Sequence, residues 1–529
     1  MITGPRTGLA ILTIAALTVA GCGESREAVR SADAPAVQYQ ANIEGITFSS
    51  EEPQPELNTE SYDVITENEF VDSLSNPKST FSIDVDTASY SNVRRMISDR
   101  QMPPAGAVRI EELINYFEYQ YDGPESDEHP FSVHTDLGKC PWDKNNQLVR
   151  IGLKGKTFPR DKRPDCNLVF LLDVSGSMKS PNKLPLVKEA MRMLVENLDR
   201  KDQIAIVVYA GSSGLVLPST SASEPDTILG AMDQLSAGGS TNGGEGINLA
   251  YQIAAKNFIE DGVNRVILCT DGDFNVGTTS RSSLVDLIEA KAKSGISLSV
   301  LGFGTGNLKD DTMETLADRG DGNYAYIDSQ LEARKALVEQ LNGTLITIAK
   351  DVKIQVDFNP ARIKAYRLIG YENRMLENED FADDKKDAGE IGAGHTVTAL
   401  YEVVPAGSDS PARTDSESEF VETKLKADAA NSDTVLKVNL RYKLPDEMES
   451  KAFDVALNRK TSDPVDMPSD DFQFAASVAA YGMLLRDSKF KGDVEWDWVV
   501  KAASESIGED RNGYRSEFVS LARQASLLQ

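Results

Sequence analysis

The chain has 529 residues, enough for more than one core, because single hydrophobic cores stop growing near ~250–300 residues. Its 40% hydrophobic and 26% charged content is ordinary for a folded soluble protein. A net charge of −28 argues against DNA, RNA or an anionic membrane surface as a partner.

In chain order, residues 1–21 read as a lipoprotein signal peptide. Arg6 supplies a positive start, Leu9 to Val19 an apolar stretch, and Val19-Ala20-Gly21-Cys22 resembles a bacterial lipobox. The resemblance implies cleavage before Cys22, a lipid on its thiol and export to the cell envelope. Gly23 follows, not Asp, which implies the outer membrane where a cell has two. A simple signal peptide or an uncleaved anchor is the alternative. No later stretch approaches the ~20 apolar residues of a spanning helix. Residues 22–78 are polar and acidic, with Glu51-Glu52-Pro53-Gln54-Pro55, and read as a flexible tether.

Residues 79–128 read as a small accessory element. Phe81, Ile83 and Val85 alternate with Ser82, Asp84 and Asp86 as in a short strand, and two helices follow around Val93 and Leu113. Asp84-Val85-Asp86-Thr87 resembles the opening of haloacid-dehalogenase-type phosphatases, but no spaced Lys and acidic partners follow, so a helix cap is the better reading. Residues 129–160 give two or three strands. There Gly155-Lys156-Thr157 lacks the earlier glycine of a phosphate-binding loop, Arg150 standing in its place.

Residues 161–350 carry the most informative pattern. The apolar run Leu168 to Leu172 reads as a strand buried on both faces, and it ends in Asp173-x-Ser175-x-Ser177. A helix follows, with Val187, Met191, Leu194 and Leu198 on one stripe. Gly238-Gly239-Ser240-Thr241-Asn242 is a glycine-rich loop ahead of another helix. Val266 to Thr270 is a second buried strand, ending in Asp271-Gly272-Asp273. Further strands are predicted at Gln203–Tyr209, Ile296–Phe303 and Tyr324–Ile327, and a last helix at Leu331–Ala349. Strands alternating with helices imply a doubly wound, mostly parallel sheet, whose ligands bind at the carboxyl ends of the strands. Asp and hydroxyl oxygens gathered there suit Mg²⁺, or Mn²⁺ or Ca²⁺, better than zinc or copper.

This order of motifs resembles the von Willebrand factor type A (vWA) domain and its metal-ion-dependent adhesion site. The resemblance implies that Ser175, Ser177 and Thr241 touch the metal directly or nearly so, and that Asp173 and Asp271 act directly or through water. It also implies that the last helix shifts against the sheet when the site takes a ligand. The whole chain resembles bacterial envelope proteins often labelled Ca-activated chloride channel homologues, with Thr270-Asp271-Gly272-Asp273-Phe274-Asn275-Val276-Gly277 as its signature. The channel label has no support in a chain without a spanning segment.

Residues 351–465 return to period two and read as antiparallel strands, with a polar loop over 407–418. Together with residues 129–160 they are expected to form one β-sandwich into which the vWA domain is inserted. Residues 466–529 read as a small helical region. Cys140 and Cys166 flank one segment in an oxidising compartment, where a disulfide between them is an open alternative, while Cys269 is core. His129, His134 and His395 have no motif partner.

Three functions fit. In the first, the metal completes its shell with an Asp or Glu carboxylate from a protein partner. In the second, a hydrolase uses the ion to activate water, which needs a base, and no His or Lys stands in the three loops. In the third, the metal only stabilises a structural lipoprotein. The first is preferred, with no enzymatic role.

Overall fold

The computed structural model describes residues 62–529 save for 63, 84–85, 160–161, 211–212, 240–242, 273–280, 306–309, 341–342, 344, 387, 409–423 and 446. Two short strands open it, β1 (Val71–Asp72) and β2 (Lys78–Ser82), followed by α1 (Ala88–Ser98) and α2 (Ile110–Asn115). Both strands pair with segments almost 300 residues further on: Val71 lies opposite Tyr366, and Phe81 opposite Ile354. Asn68 also donates to the carbonyls of Leu368 and Gly370, at 3.2 and 2.9 Å. The expected tether of residues 22–78 therefore ends before Asn68, because its last ten residues find backbone partners in the sandwich. The signal segment, Cys22 and the rest of the tether lie outside the described residues. So do Asp84 and Val85 of the phosphatase-like motif.

Strands β3 (Phe131–Lys139) and β4 (Gln147–Gly155) come next, and then the α/β region. It comprises β5 (Cys166–Asp173), α3 (Leu184–Asn197), β6 (Gln203–Tyr209), β7 (Ser213–Ser221), α4 (Pro225–Asp233), α5 (Gly243–Lys256), β8 (Val263–Thr270), α6 (Arg281–Ala292), β9 (Ser297–Phe303), α7 (Asp310–Arg319), β10 (Tyr324–Ile327) and α8 (Gln330–Arg334). The sheet order is β10-β9-β8-β5-β6-β7. All neighbours are parallel except the edge pair β6–β7. All eight residues of β5 are buried, as a central strand covered by helices on both faces requires. The edge strand β7 is the element missing from the sequence reading.

The remaining strands are β11 (Thr347–Phe358), β12 (Ile363–Ile369), β13 (Met375–Leu376), β14 (Ile391–Gly392), β15 (Thr396–Pro405), β16 (Thr434–Lys443) and β17 (Lys451–Asn458). They form two sheets, β1-β12-β15-β4-β3 and β13-β2-β11-β16-β17, with β14 beside β11. Strand β4 pairs with β15, Arg150 opposite Leu400, so the α/β region is an excursion between two strands of one sandwich. Aromatic rings lock the sheets face to face. Phe358 stacks on Tyr366 with centroids 4.0 Å apart, and the Tyr401 hydroxyl bonds Ser79 across the core at 2.9 Å.

Three helices end the chain, α9 (Asp470–Leu485), α10 (Trp496–Glu505) and α11 (Tyr514–Ser526). Ser469 caps α9 by accepting the Phe472 amide at 3.1 Å, and nearly every side chain after that cap is buried. Helices α1 and α2 share this core, with Tyr90, Phe117, Phe474 and Phe518 in mutual ring contact. The predicted accessory element and helical region are thus one body.

That body grips the last helix of the α/β region. Arg94 of α1 bonds Asp328 at 2.9 Å, Glu332 at 2.8 Å and Glu517 of α11 at 3.1 Å. The Lys335 ammonium sits 3.5 Å from the Tyr116 ring centroid and 4.3 Å from that of Tyr514. Glu339 accepts from the Tyr514 hydroxyl at 2.8 Å. The helix itself is shorter than Leu331–Ala349. After Arg334 it widens into one π-type turn, Lys335–Glu339, and β11 already begins at Thr347. The stretch Thr347-Ile348 is β-branched and pairs as strand, so the apolar positions there belong to period two.

The disulfide left open between Cys140 and Cys166 does not form. Cys140 and Cys166 are both free and buried in different cores, Cys140 among the helices and Cys166 at the start of β5. Arg163 holds the Cys166 sulfur at 2.8 Å. His129 stacks on Phe453, His134 stacks on Tyr121, and His395 lines a cavity of about 190 Å³ with Asn115, Glu118 and Glu339.

Candidate metal centre

Strand β5 drives Asp173 to the carboxyl edge of the sheet, where the chain must turn. The carboxylate steadies that turn itself, Oδ1 accepting the Ser175 amide at 2.8 Å. Ser175 is extended, and a short 3₁₀ turn over Gly176–Lys179 brings the Ser177 hydroxyl back to 2.9 Å from that of Ser175. The glycine loop docks on this turn from one side. Gly238 donates to the Val174 carbonyl at 2.8 Å, and Gly176 donates to Gly239 at 3.0 Å. Thr241, two residues on, lies outside the described residues, as does Asp273.

From the other side, β8 delivers Asp271. Gly272 follows at φ +97°, a left-handed turn that a side chain would oppose, and its amide donates to the Thr270 hydroxyl at 3.3 Å. Asp173, Ser175 and Asp271 are buried, while Ser177 is exposed at the mouth. Four of the five residues predicted from sequence therefore line two neighbouring strand ends.

The electrostatics are unbalanced. Asp173 Oδ2 is buried with no hydrogen-bond partner among the described residues. Burial pushes the Asp173 carboxyl up to about 6, with the Ser175 hydroxyl and amide and the Tyr209 hydroxyl pulling it down and Asp271 adding to the rise. A buried carboxyl beside a second acid is a setting that a bound cation would stabilise. Among the described residues no three His, Cys, Asp or Glu cluster together, so soft or all-carboxylate chemistry has no footing. The donors present, two carboxylates and two hydroxyls, are hard oxygens that fit Mg²⁺ or Mn²⁺.

One residue of the site escaped the sequence reading. Lys183 Nζ donates to Asp271 Oδ2 at 3.0 Å, its side chain 4% exposed against 0% for the acid. Its stem runs over Gly304, at φ +80°, where a Cβ would collide with it. The sequence reading looks for a lysine only within the three loops, and this one lies outside them. Lys183 starts just beyond the first loop, at the cap of α3, and reaches across to the second acid. Its signal in the sequence is that a helix N-cap, the positive end of the helix dipole, is a poor place for lysine.

The von Willebrand factor type A domain family matches residues 167–341, which is the inserted α/β region. A family described as von Willebrand factor matches 56–150, and the C-terminal family of uncharacterized protein YfbK matches 343–528. Uncharacterized protein YfbK of Escherichia coli (strain K12) is 42% identical over 474 residues, covering 88% of this chain and 81% of that one. The chain belongs to the YfbK family of vWA proteins. Uncharacterized protein sll0103 of Synechocystis is 30% identical over 189 residues, 36% of this chain and 44% of its own length. The crystal structure of BatB from Bacteroides thetaiotaomicron is 24% identical, with 33% of this chain and 97% of that chain covered at a TM-score of 0.29. vWA domains typically serve adhesion or protein interaction and commonly bind a divalent metal. Relatives of this YfbK-family chain are generally non-enzymatic.

Proposed function

We propose that this YfbK-family protein binds a protein partner on the cell envelope through a divalent cation, Mg²⁺ or Mn²⁺. Asp173, Ser175, Ser177 and Asp271 would hold the ion, with Thr241 completing the set by family resemblance. The observation that carries the reading is the buried Asp173 Oδ2, without a hydrogen-bond partner among the described residues, close to a second acid and next to exposed Ser177 in the chain. When bound, the ion supplies an electrophilic coordination position. The chain's part is to keep its hydroxyl ligands neutral, so that the ion retains charge to attract an outside carboxylate. The partner would contribute an Asp or Glu side chain. A lipid on Cys22 would keep the protein at the outer membrane.

The test is capture from an envelope extract in Mg²⁺ by the immobilised full chain. Bound protein should elute in EDTA and be absent with Asp173→Ala. Capture unaffected by EDTA and by that substitution would overturn the reading. For location, Cys22→Ser should leave the membrane fraction. Its retention there after washing would refute the lipid anchor.

A further inference from the structure

We propose that Lys183 couples the metal to its carboxylate ligand: its ammonium holds Asp271 in the empty site and leaves the loaded site with an excess positive charge that an outside carboxylate cancels. The inference rests on the metal reading above and adds a residue and a property that the motif does not contain.

The charges can be counted on the page. Among the described residues, and with both acids ionised as a bound dication requires, Asp173 and Asp271 bring two negative charges and Lys183 one positive, all three side chains being buried. With a dication added, the cluster stands at plus one. Without Lys183 the same two acids and the same dication would sum to zero. Charge confined away from water is costly unless it is matched, so the lysine must weaken the metal when it binds alone. One carboxylate from outside restores neutrality. Metal and carboxylate should therefore bind as a pair, each raising the affinity of the other by the same factor.

The geometry holds Lys183 to this role. Its ammonium is 3.0 Å from Asp271 Oδ2, in ion-pair contact with an acid of the site. The backbone at Gly304 is bare where the aliphatic stem crosses it, giving the chain a fitted track from the α3 cap to Asp271. The amino end of α3 lies behind the residue and repels an ammonium, so the carboxylate is what draws it inward.

The experiment is a calorimetric titration of Mn²⁺ into the EDTA-stripped full chain, with and without acetate as the carboxylate probe. For wild type, acetate should raise Mn²⁺ affinity several-fold. Lys183→Met should bind Mn²⁺ more tightly than wild type by about tenfold or more, as expected for losing one like charge a few ångströms away. In that variant acetate should add little. Lys183→Arg, which keeps the charge, should retain the wild-type acetate response. The wild-type acetate arm needs no variant, so the inference can fail even if Lys183→Met does not fold. Equal Mn²⁺ affinity in wild type and Lys183→Met, with binding lost in Asp173→Ala, would overturn the role of Lys183 and leave the metal site standing. An acetate-independent wild type would overturn it likewise. No Mn²⁺ binding by wild type or Lys183→Met would overturn both the metal site and this inference.

Discussion

Two buried charge clusters flank the same α/β sheet, and they are built on opposite rules. Around Arg94, one guanidinium meets Asp328, Glu332 and Glu517, and the Tyr116 hydroxyl donates to Glu332 at 2.9 Å. At the carboxyl edge, one ammonium serves Asp271 while Asp173 keeps an oxygen with no partner among the described residues. The first cluster ties the α1–α11 body to α8 and is satisfied by the chain itself. In the second, Asp173 Oδ2 has no hydrogen-bond donor among the described residues. Unpaired buried carboxylates and perturbed titrations gather at functional sites, so the contrast sets a structural joint beside a candidate site.

Removing one charge should therefore act differently in the two places. Arg94→Met leaves Glu332, 2% exposed, and Asp328, 9% exposed, buried without their cation. The expected cost is about 3–5 kcal/mol, read by chemical denaturation. A loss under 1 kcal/mol would place the Arg94 cluster in the same class as the site.

The cavity beside the joint offers a second test, by pH. Burial, helped by Lys154 and Lys335, lowers His395 from 6.5 to about 4. Its folded pKa lies below the unfolded one, so between those values the unfolded chain binds the extra proton. Stability should fall as pH drops from 6.5 toward 4 and be fully retained above 6.5. The ring is only half-buried, and water reaching it from the cavity limits the effect to about 2 kcal/mol. Acid titration of the melting curve in His395→Gln should lack that component. An identical acid profile in wild type and variant would remove His395 from the account.

The smallest effect belongs to Asp173. In EDTA, Asp173→Ala removes an acid that burial already opposes but gives up its bond to the Ser175 amide. Its stability should stay within about 1 kcal/mol of wild type. A loss as large as that of Arg94→Met would mean that Asp173 is a structural residue.

The sequence made the site unusually legible because its residues sit where strong local signals end. Leu168 to Leu172 and Val266 to Thr270 are unbroken apolar runs, and the acids that follow them can only be at the sheet edge. Edge strands gave weaker signals. In β7, Leu215 and Val216 are both more than a third exposed, so no alternation marks it. Strand β17 is mostly exposed in the same way. Pairing of Val71 with Tyr366 has no local signature at all, which is why a bound segment was read as tether. Lys183 was missed for a related reason. Its helix position is visible in sequence, but the direction its stem takes depends on Gly304, 121 residues later. Ring contacts that merge the α1–α2 element with α9–α11 are equally non-local.

The claim that the incomplete cluster is a divalent-cation site is tested most directly by titrating Mn²⁺ into the EDTA-stripped full chain and counting bound ions. Wild type should take up one ion, and near a hundredfold excess over Kd that ion should stabilise the fold by about 2.7 kcal/mol. Asp173→Ala should stay folded, bind none and melt alike in Mn²⁺ and EDTA. Equal uptake and equal stabilisation in both proteins would contradict the account.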